Sequence, residues 1–454
     1  MLSTADNEFV TSVGRGTPMG NLFREYWLPA MMSSELPKPD CVPVRVMLLG
    51  EKLIGFRDSQ GRVGLIQDNC PHRGASLFFG RNEDSGIRCI YHGWKFDVNG
   101  ACVDMTNEPG NSDFRNRVKA RAYPCIERAG MVWTYMGPRD APPPLPALEG
   151  LERDEDVVDV GCGMRECNWL QGLEGDIDTS HAGILHGGAT KPENVTPGTT
   201  EYYGLLDRAP RYRAVDTDFG CMYGAYRAAG EGRLYWRIAQ LMFPCFVNIP
   251  GSGRLDIRMW VPMDDTHTMY FIMRRRATDP AWNHENDGVS NRFLVYPVIR
   301  LEPQNSTDWY GRFRLQQRYE NDWFINREAQ AEGVSYSGIT GVWAQDDAVT
   351  VSMGPVLNRE EEHLSASDTM IIRARQRYIQ AAEALAEHKT PPPGVDHPEV
   401  YRQRSVAAIL PEDADWIKDT EELRRVPHEI EPWDDRGPSD VDRTFSMPWR
   451  AWKP

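Results

Sequence analysis

No stretch of this 454-residue chain approaches the ~20 consecutive apolar residues that a membrane span requires. Its first residues, MLSTADNEFVTSVGRG, lack the basic start and apolar core of a secretory signal. Positive charge is also in deficit. The 51 Lys and Arg face 66 Asp and Glu, a formal net charge of −15, which removes the electrostatic footprint of a nucleic-acid binder. These absences predict a cytoplasmic protein with no membrane or nucleic-acid partner. A disulfide framework is missing too, because the nine cysteines are odd in number and widely spaced. Most of them, Cys162 and Cys167 included, read as small buried hydrophobes. There is no internal repeat.

What is present changes character near residue 150. From Val42 to Gly137, short strand-like runs alternate with turns: VPVRVMLLG, KLIGF, RVGLI and GMVWTYMG. WKFDV and ACVDM, joined at Asn99-Gly100, predict a hairpin. GPRDAPPPLPALEG (137–150) is a proline-rich connector. Beyond it, NWLQGLEGDIDTSHAGILH (168–186) carries helical periodicity up to Gly187-Gly188. Strand-like runs follow at 232–248 and 254–274, and Ser367 is placed to cap a long helix ending before TPPPG. The expected fold is α+β: an all-β domain over 1–150, then a catalytic domain of antiparallel sheet and helices over 151–394. An extension, 395–454, packs on that domain or on a neighbouring subunit.

The chemistry begins with Cys70-Pro-His72 and Cys89-Ile-Tyr-His92, which stand sixteen residues apart. Two cysteines and two histidines also suit tetrahedral zinc. Zinc fingers, however, usually pair Cys with Cys and His with His, whereas here the types interleave. The interleaved order suits a [2Fe–2S] cluster in which two thiolates hold one iron and two neutral imidazoles the other, a Rieske centre. Gly74, Gly80 and Gly93 give the loops freedom around these ligands.

An electron-transfer centre needs a destination. On an unbroken helix Glu174, Asp178 and His181 share one face, while His186 lies about 140° from His181. Both imidazoles reach one metal only if the helix breaks or bulges near Gly183. Two histidines and a carboxylate leaving open positions is the pattern of non-haem Fe(II) oxygenases.

Taken together, CPHRGASL, CIYHGWKF and EGDIDTSHAGILH resemble the catalytic subunits of Rieske non-haem iron oxygenases. ITGVWAQDDAVTVSMGPVLNREEEHLSASD (339–368) is similar to the phthalate dioxygenase branch. The resemblance implies that Cys70 and Cys89 hold one cluster iron and His72 and His92 the other. It implies that His181 and His186 bind a mononuclear Fe(II), with Asp346 preferred to Asp347 as third ligand because it directly follows Gln345. Asp178 would not bind metal but bridge a cluster-ligand histidine of one subunit and an iron-ligand histidine of the next, orienting both. That role implies a homotrimer or stacked hexamer, served by a separate NAD(P)H-dependent reductase. Glu174 reads either as a hydrogen-bonding neighbour of this site or as a surface charge.

The branch commonly takes aromatic carboxylates, for which Arg208, Arg211 and Arg237 are candidate contacts. Arg237 stands out because it sits within the apolar run LYWRIAQLMF. With O₂ as co-substrate, two chemistries remain open: ring cis-dihydroxylation, which is favoured, and O-demethylation of a methoxylated aromatic acid. Two other classes are rivals. A Rieske electron carrier needs only the first ~140 residues and no second histidine pair, and a zinc-stabilised binding protein would be colourless.

Overall fold

The computed structural model describes residues 2–109, 113–153, 158–195, 197–250, 255–275, 301–303 and 308–426. The early apolar runs become the antiparallel strands Val44–Leu48, Glu51–Arg57 and Val63–Gln67, joined by Ala122–Tyr123. Consecutive residues of these strands are buried on both faces, Val46, Leu53, Leu65 and Ile66 completely. A second small sheet runs Arg81–Glu83, Gly86–Arg88, Trp94–Phe96 and Cys102–Met105, and it contains the expected hairpin. At that turn Gly100 has φ +79°, and a Cβ there would meet the Ala120 carbonyl oxygen at 2.0 Å, so only glycine fits. The third sheet orders Trp27–Met32, Met131–Tyr135 and Cys125–Arg128. The proline-rich connector stays irregular until a 3₁₀ turn at Glu149–Leu151, and Trp27 Nε1 ties it down by donating to the Pro143 carbonyl at 2.7 Å.

The second half is built on one eight-stranded antiparallel sheet. Its strands are β1 Val158–Arg165, β2 Arg211–Thr217, β3 Gly220–Ala228, β4 Arg233–Met242, β5 Phe246–Asn248, β6 Asp256–Pro262, β7 Thr268–Arg275 and β8 Val406–Pro411. The order is β1-β7-β6-β5-β4-β3-β2, and β8 pairs with the first half of β4, where β5 does not reach. The tail therefore contributes a strand that its charged sequence did not announce, up to residue 426; residues 427–454 lie outside the described residues.

Four helices lie against this sheet: α1 Trp169–Ile177, α2 Thr200–Leu206, α3 Val342–Ser352 and α4 Thr369–His388. A run of aromatic contacts joins α1 and α4 to the helix Pro18–Arg24. Phe23 meets Trp169 at 4.9 Å, Trp169 meets Tyr378 at 5.1 Å, and Tyr378 stacks on Phe243 at 4.4 Å. Such pairs add about 0.5–1.5 kcal/mol each beyond the area they bury. The predicted cap of α4 shifts: Ser365 caps the preceding 3₁₀ turn and Asp368 stands at the N-cap, so Ser367 caps nothing. Among the described residues no helix is long and apolar enough to cross a membrane.

Candidate metal centres

The two Cys/His loops fold identically. Cys70 N–H donates to the Ala75 carbonyl at 2.8 Å, and Cys89 N–H to the Trp94 carbonyl at 2.8 Å. Within each loop a glycine four residues after the cysteine donates back to it, Gly74 to Cys70 at 2.9 Å and Gly93 to Cys89 at 3.0 Å. Both glycines take positive φ, +76° and +75°, which closes the loop without a Cβ penalty. Gly80 differs: its φ is −66°, and it is needed because a Cβ would approach the Leu77 and Arg88 carbonyls within 3 Å. The histidines enter these matched loops one position apart, yet their rings meet at 4.5 Å.

Cys70 and Cys89 are 3% and 2% exposed, inside a small core formed by Ile54, Phe56, Ile87, Trp94 and Phe96. His72 and His92 face outward, and His72 stacks on Trp94 at 4.2 Å. Burial pushes the Cys70 thiol up to about 11, and the neighbouring Cys89 adds to the rise. Two buried thiols brought together in this way suit a metal group that takes them as thiolates.

The second centre lies where α1 ends. Asn168 caps this helix by accepting from Leu170 N–H at 3.1 Å. Its end comes at Ile177, nine residues short of the predicted limit, because Asp178 bends its carboxylate back onto the chain. Asp178 accepts from the N–H groups of Ser180 (2.7 Å) and His181 (3.3 Å), an Asx-type turn that competes with the helical ladder. Glu174, Asp178 and His181 therefore do not share a helical face. A 3₁₀ turn, His181–Gly183, follows, and then Gly187 N–H donates to the Ala182 carbonyl five residues back. This wide turn carries His186 around to His181, with the two Nε2 atoms 3.1 Å apart.

Helix α3 supplies the third group. Asp346 Oδ1 lies 3.1 Å from His186 Nε2 and 3.7 Å from His181 Nε2. These three side chains offer ligand atoms within 4.8 Å of one another. Asp347 turns the other way, buried against Arg165 at 3.0 Å and Trp323 Nε1 at 2.5 Å. Behind the imidazoles the partners differ: His181 Nδ1 faces Asp178 Oδ2 at 3.3 Å, and His186 Nδ1 faces Gln345 Oε1 at 2.7 Å. Burial raises Asp346, but His186 and His181 outweigh it and keep the carboxyl below its ordinary range. Asp178 behaves alike, held at about 2 against its burial by His181 and Ser180. Two imidazoles and the Asp346 carboxylate, with the Asp178 carboxylate behind His181, form a donor set of the right kind for a divalent iron.

The remaining sequence candidates scatter. Glu174 is neither at this centre nor on the surface; it is buried between Arg359 (3.0 Å) and Arg375 (2.6 Å). Arg208 and Arg211 are exposed, Arg208 donating weakly to the Gly188 carbonyl and Arg211 lying over the Tyr226 ring. Arg237 is half-buried on β4 and donates to the Pro250 carbonyl at 2.7 Å. Sequence reasoning missed Arg227 on β3, which is 2% exposed, and Tyr212 on β2, whose hydroxyl reaches Asp178 at 3.4 Å. Both sit in ordinary strand patterns with no local signal.

A model of the Rieske [2Fe–2S] domain matches residues 26–122, and one described as LigXa C-terminal domain like matches residues 134–434. The chain is 44% identical to the 3-chlorobenzoate-3,4-dioxygenase oxygenase subunit of Comamonas testosteroni over 92% of its own length and 97% of that protein's. This chain belongs to the Rieske non-haem iron oxygenases. It is also 35% identical to the phthalate 4,5-dioxygenase oxygenase subunit of Pseudomonas putida, covering 92% and 94% of the two chains. Its identity to the 5,5'-dehydrodivanillate O-demethylase oxygenase subunit of a Sphingobium species is 30%, over 86% and 83%. The terminal oxygenase of carbazole 1,9a-dioxygenase from Nocardioides aromaticivorans shares the fold at a TM-score of 0.51 and 19% identity, over 83% of this chain and 97% of that one. As a Rieske oxygenase subunit the protein is an oxidoreductase whose cofactors are a [2Fe–2S] cluster and a mononuclear iron.

Proposed function

We propose that this oxygenase cis-dihydroxylates the ring of an aromatic carboxylate of the benzoate or phthalate type. The observation that carries the reading is the meeting of His181, His186 and Asp346 on three short segments, which leaves the remainder of an iron's coordination sphere to O₂ and substrate. In this reading residues 1–150 hold the cluster through Cys70, His72, Cys89 and His92, residues 151–394 hold the iron, and the extension from 395, as far as residue 426, braces the latter through β8. Iron held there would, with O₂, two electrons relayed through the cluster and two protons from solvent, supply the oxidant that adds two oxygens and two hydrogens to the ring.

The chain's own residues position the parts. Asp346 contributes one negative charge, so the site remains cationic when loaded. Asp178 orients His181 and keeps a side chain 21% exposed beyond it, available to a histidine of a neighbouring subunit in a trimer or stacked hexamer. The carboxylate specificity is supported by Arg227 and Arg237. Ala225 pairs with Arg237 and Tyr235 with Arg227 across β3 and β4, so the two guanidinium groups lie diagonally on one face of the sheet. Tyr212, opposite Ala225 on β2, shares that face and leads to Asp178.

Arg227 donates to the Asp207 carbonyl at 2.7 Å, but its Nη1 and the Nε of Arg237 are buried without a partner. Among the described residues neither has a carboxylate in ion-pair contact. Burial and the neighbouring Arg237 both lower Arg227 from its ordinary value. Two like charges, one buried and one half-buried, are costly unless an anion joins them, and a substrate carboxylate satisfies both with charge-assisted bonds.

O-demethylation of a methoxylated aromatic acid is the second reading, favoured by the identity to the dehydrodivanillate enzyme's subunit. Purified, iron-replete protein is supplied with a phthalate-type reductase and NADH and offered benzoates, phthalates and methoxybenzoates. Mass spectrometry of a product heavier by two oxygens and two hydrogens supports dihydroxylation. Formaldehyde release with loss of a methyl group replaces it with demethylation. Turnover of the corresponding amides as fast as the acids removes the arginine assignment.

A further inference from the structure

The two imidazoles at the mononuclear centre are backed by different chemistry, a carboxylate behind His181 and a neutral amide behind His186. The amide's orientation is fixed by its other end. Gln345 Nε2 donates to the Ile339 carbonyl at 2.9 Å, and a carbonyl can only accept, so the Gln345 oxygen must be the atom facing His186. An amide oxygen can only accept as well, so the His186 Nδ1 beside it at 2.7 Å must carry the hydrogen. That leaves the lone pair on His186 Nε2, the atom that meets His181 Nε2 and Asp346 Oδ1. The Gln345–Ile339 bond is buried and the bond to His186 half-buried, and Gln345 is itself 7% exposed.

We infer that Gln345 is the positioning residue that fixes His186 in its iron-ready tautomer and orientation. It rests on the assignment of His181, His186 and Asp346 to iron. The placement is economical: Gln345 closes the first turn of α3 and Asp346 follows it directly, so neighbouring residues present the carboxylate and the amide that aims His186. Gly341, with φ +95°, starts that turn, and Gln345 N–H donates to its carbonyl at 2.9 Å.

The test compares Gln345→Leu, which removes the acceptor, with Gln345→Glu, which keeps an acceptor of the same length but loses the donor to Ile339. Gln345→Met repeats the loss of the amide acceptor in a side chain of similar length should the leucine variant not fold. Cluster absorbance and melting temperature establish the fold. The readouts are the rate of iron loss to a ferrous chelator and the electron paramagnetic resonance of the nitric oxide adduct. We expect iron loss at least ~10-fold faster in the acceptor-free variants, the scale on which partners behind metal ligands act. Gln345→Glu should stay close to the wild type in rate while its resonance shifts. Wild-type iron retention in folded Gln345→Leu or Gln345→Met overturns the inference. So does loss from Gln345→Glu as fast as from the acceptor-free variants, which would assign the effect to the Ile339 bond. The ligand assignment fails separately, if His186→Ala retains iron.

Discussion

Asp346 and Asp347 follow one another on α3, and successive helical residues point about 100° apart. That angle sends the first carboxylate to the imidazoles and the second into the protein, against Arg165 and Trp323. The two acids therefore respond differently to the same small change. Asp346→Asn should leave the fold and the cluster intact while iron content and turnover collapse. Asp347→Asn should instead leave Arg165 as an uncompensated buried charge, a loss of about 3–5 kcal/mol in stability, with the iron ligands untouched. Metal analysis and thermal melts of both variants check this. Full iron occupancy in Asp346→Asn, or iron loss without a melting change in Asp347→Asn, contradicts it. The chain order alone did not separate these residues, because the resemblance preferred Asp346 only for its place after Gln345. The cluster loops were far more legible: each pairs a cysteine and a histidine within four residues, and the closing hydrogen bonds are local to each loop. Arg227 was not legible, since a burial without a carboxylate leaves no mark in the sequence of its own strand.

Among the elements, α1 shows where periodicity misleads. Its apolar spacing continues past Ile177, but Asp178 offers the backbone a competing bond, and a short polar side chain followed by Thr-Ser was the available signal for an end. Glu174 was misplaced for a different reason. Its partners are distant in sequence, Arg359 by 185 residues and Arg375 by 201, so no local pattern announces them. Together with Glu362, which contacts Arg375, they clamp α1 to α4. Burial raises the Glu174 carboxyl, but Arg359 and Arg375 bring it below its ordinary value. A carboxyl depressed in the folded state contributes stability above the unfolded value, about 4.3 for glutamate, and that contribution is lost as pH falls through the folded value. The wild type should therefore destabilise in acid below about pH 4, and Glu174→Gln should be less stable at neutral pH yet show a weaker acid dependence. Denaturant titrations of both proteins between neutral and acid pH measure this. An unchanged acid limb in Glu174→Gln would assign the acid sensitivity to other carboxylates.

At the scale of the whole molecule the two centres differ in how they meet solvent. Cys70 and Cys89 are nearly enclosed, whereas the side chains of His181 and Asp346 are 28% and 27% exposed. Enclosure suits a centre that keeps its metal through many redox cycles, and the proposed assignment makes the outward imidazoles of His72 and His92 the edge through which electrons pass. Openness suits a centre that must admit O₂ and an organic substrate. The same difference predicts an order of metal loss. A ferrous chelator applied under reducing, non-denaturing conditions should strip the mononuclear iron first, abolishing substrate-dependent O₂ uptake while the visible absorbance of the cluster persists. Added Fe(II) should restore turnover, because the ligands hang on a folded scaffold whose strands and helices do not depend on the ion: α1 is capped by Asn168, and α3 is anchored through Gln345 and Asp347. Absorbance and O₂ uptake followed in one sample decide the matter. If the cluster bleaches before uptake falls, the thiolates rather than the imidazoles are the accessible ligands, and the assignment of the buried site to the cluster is wrong.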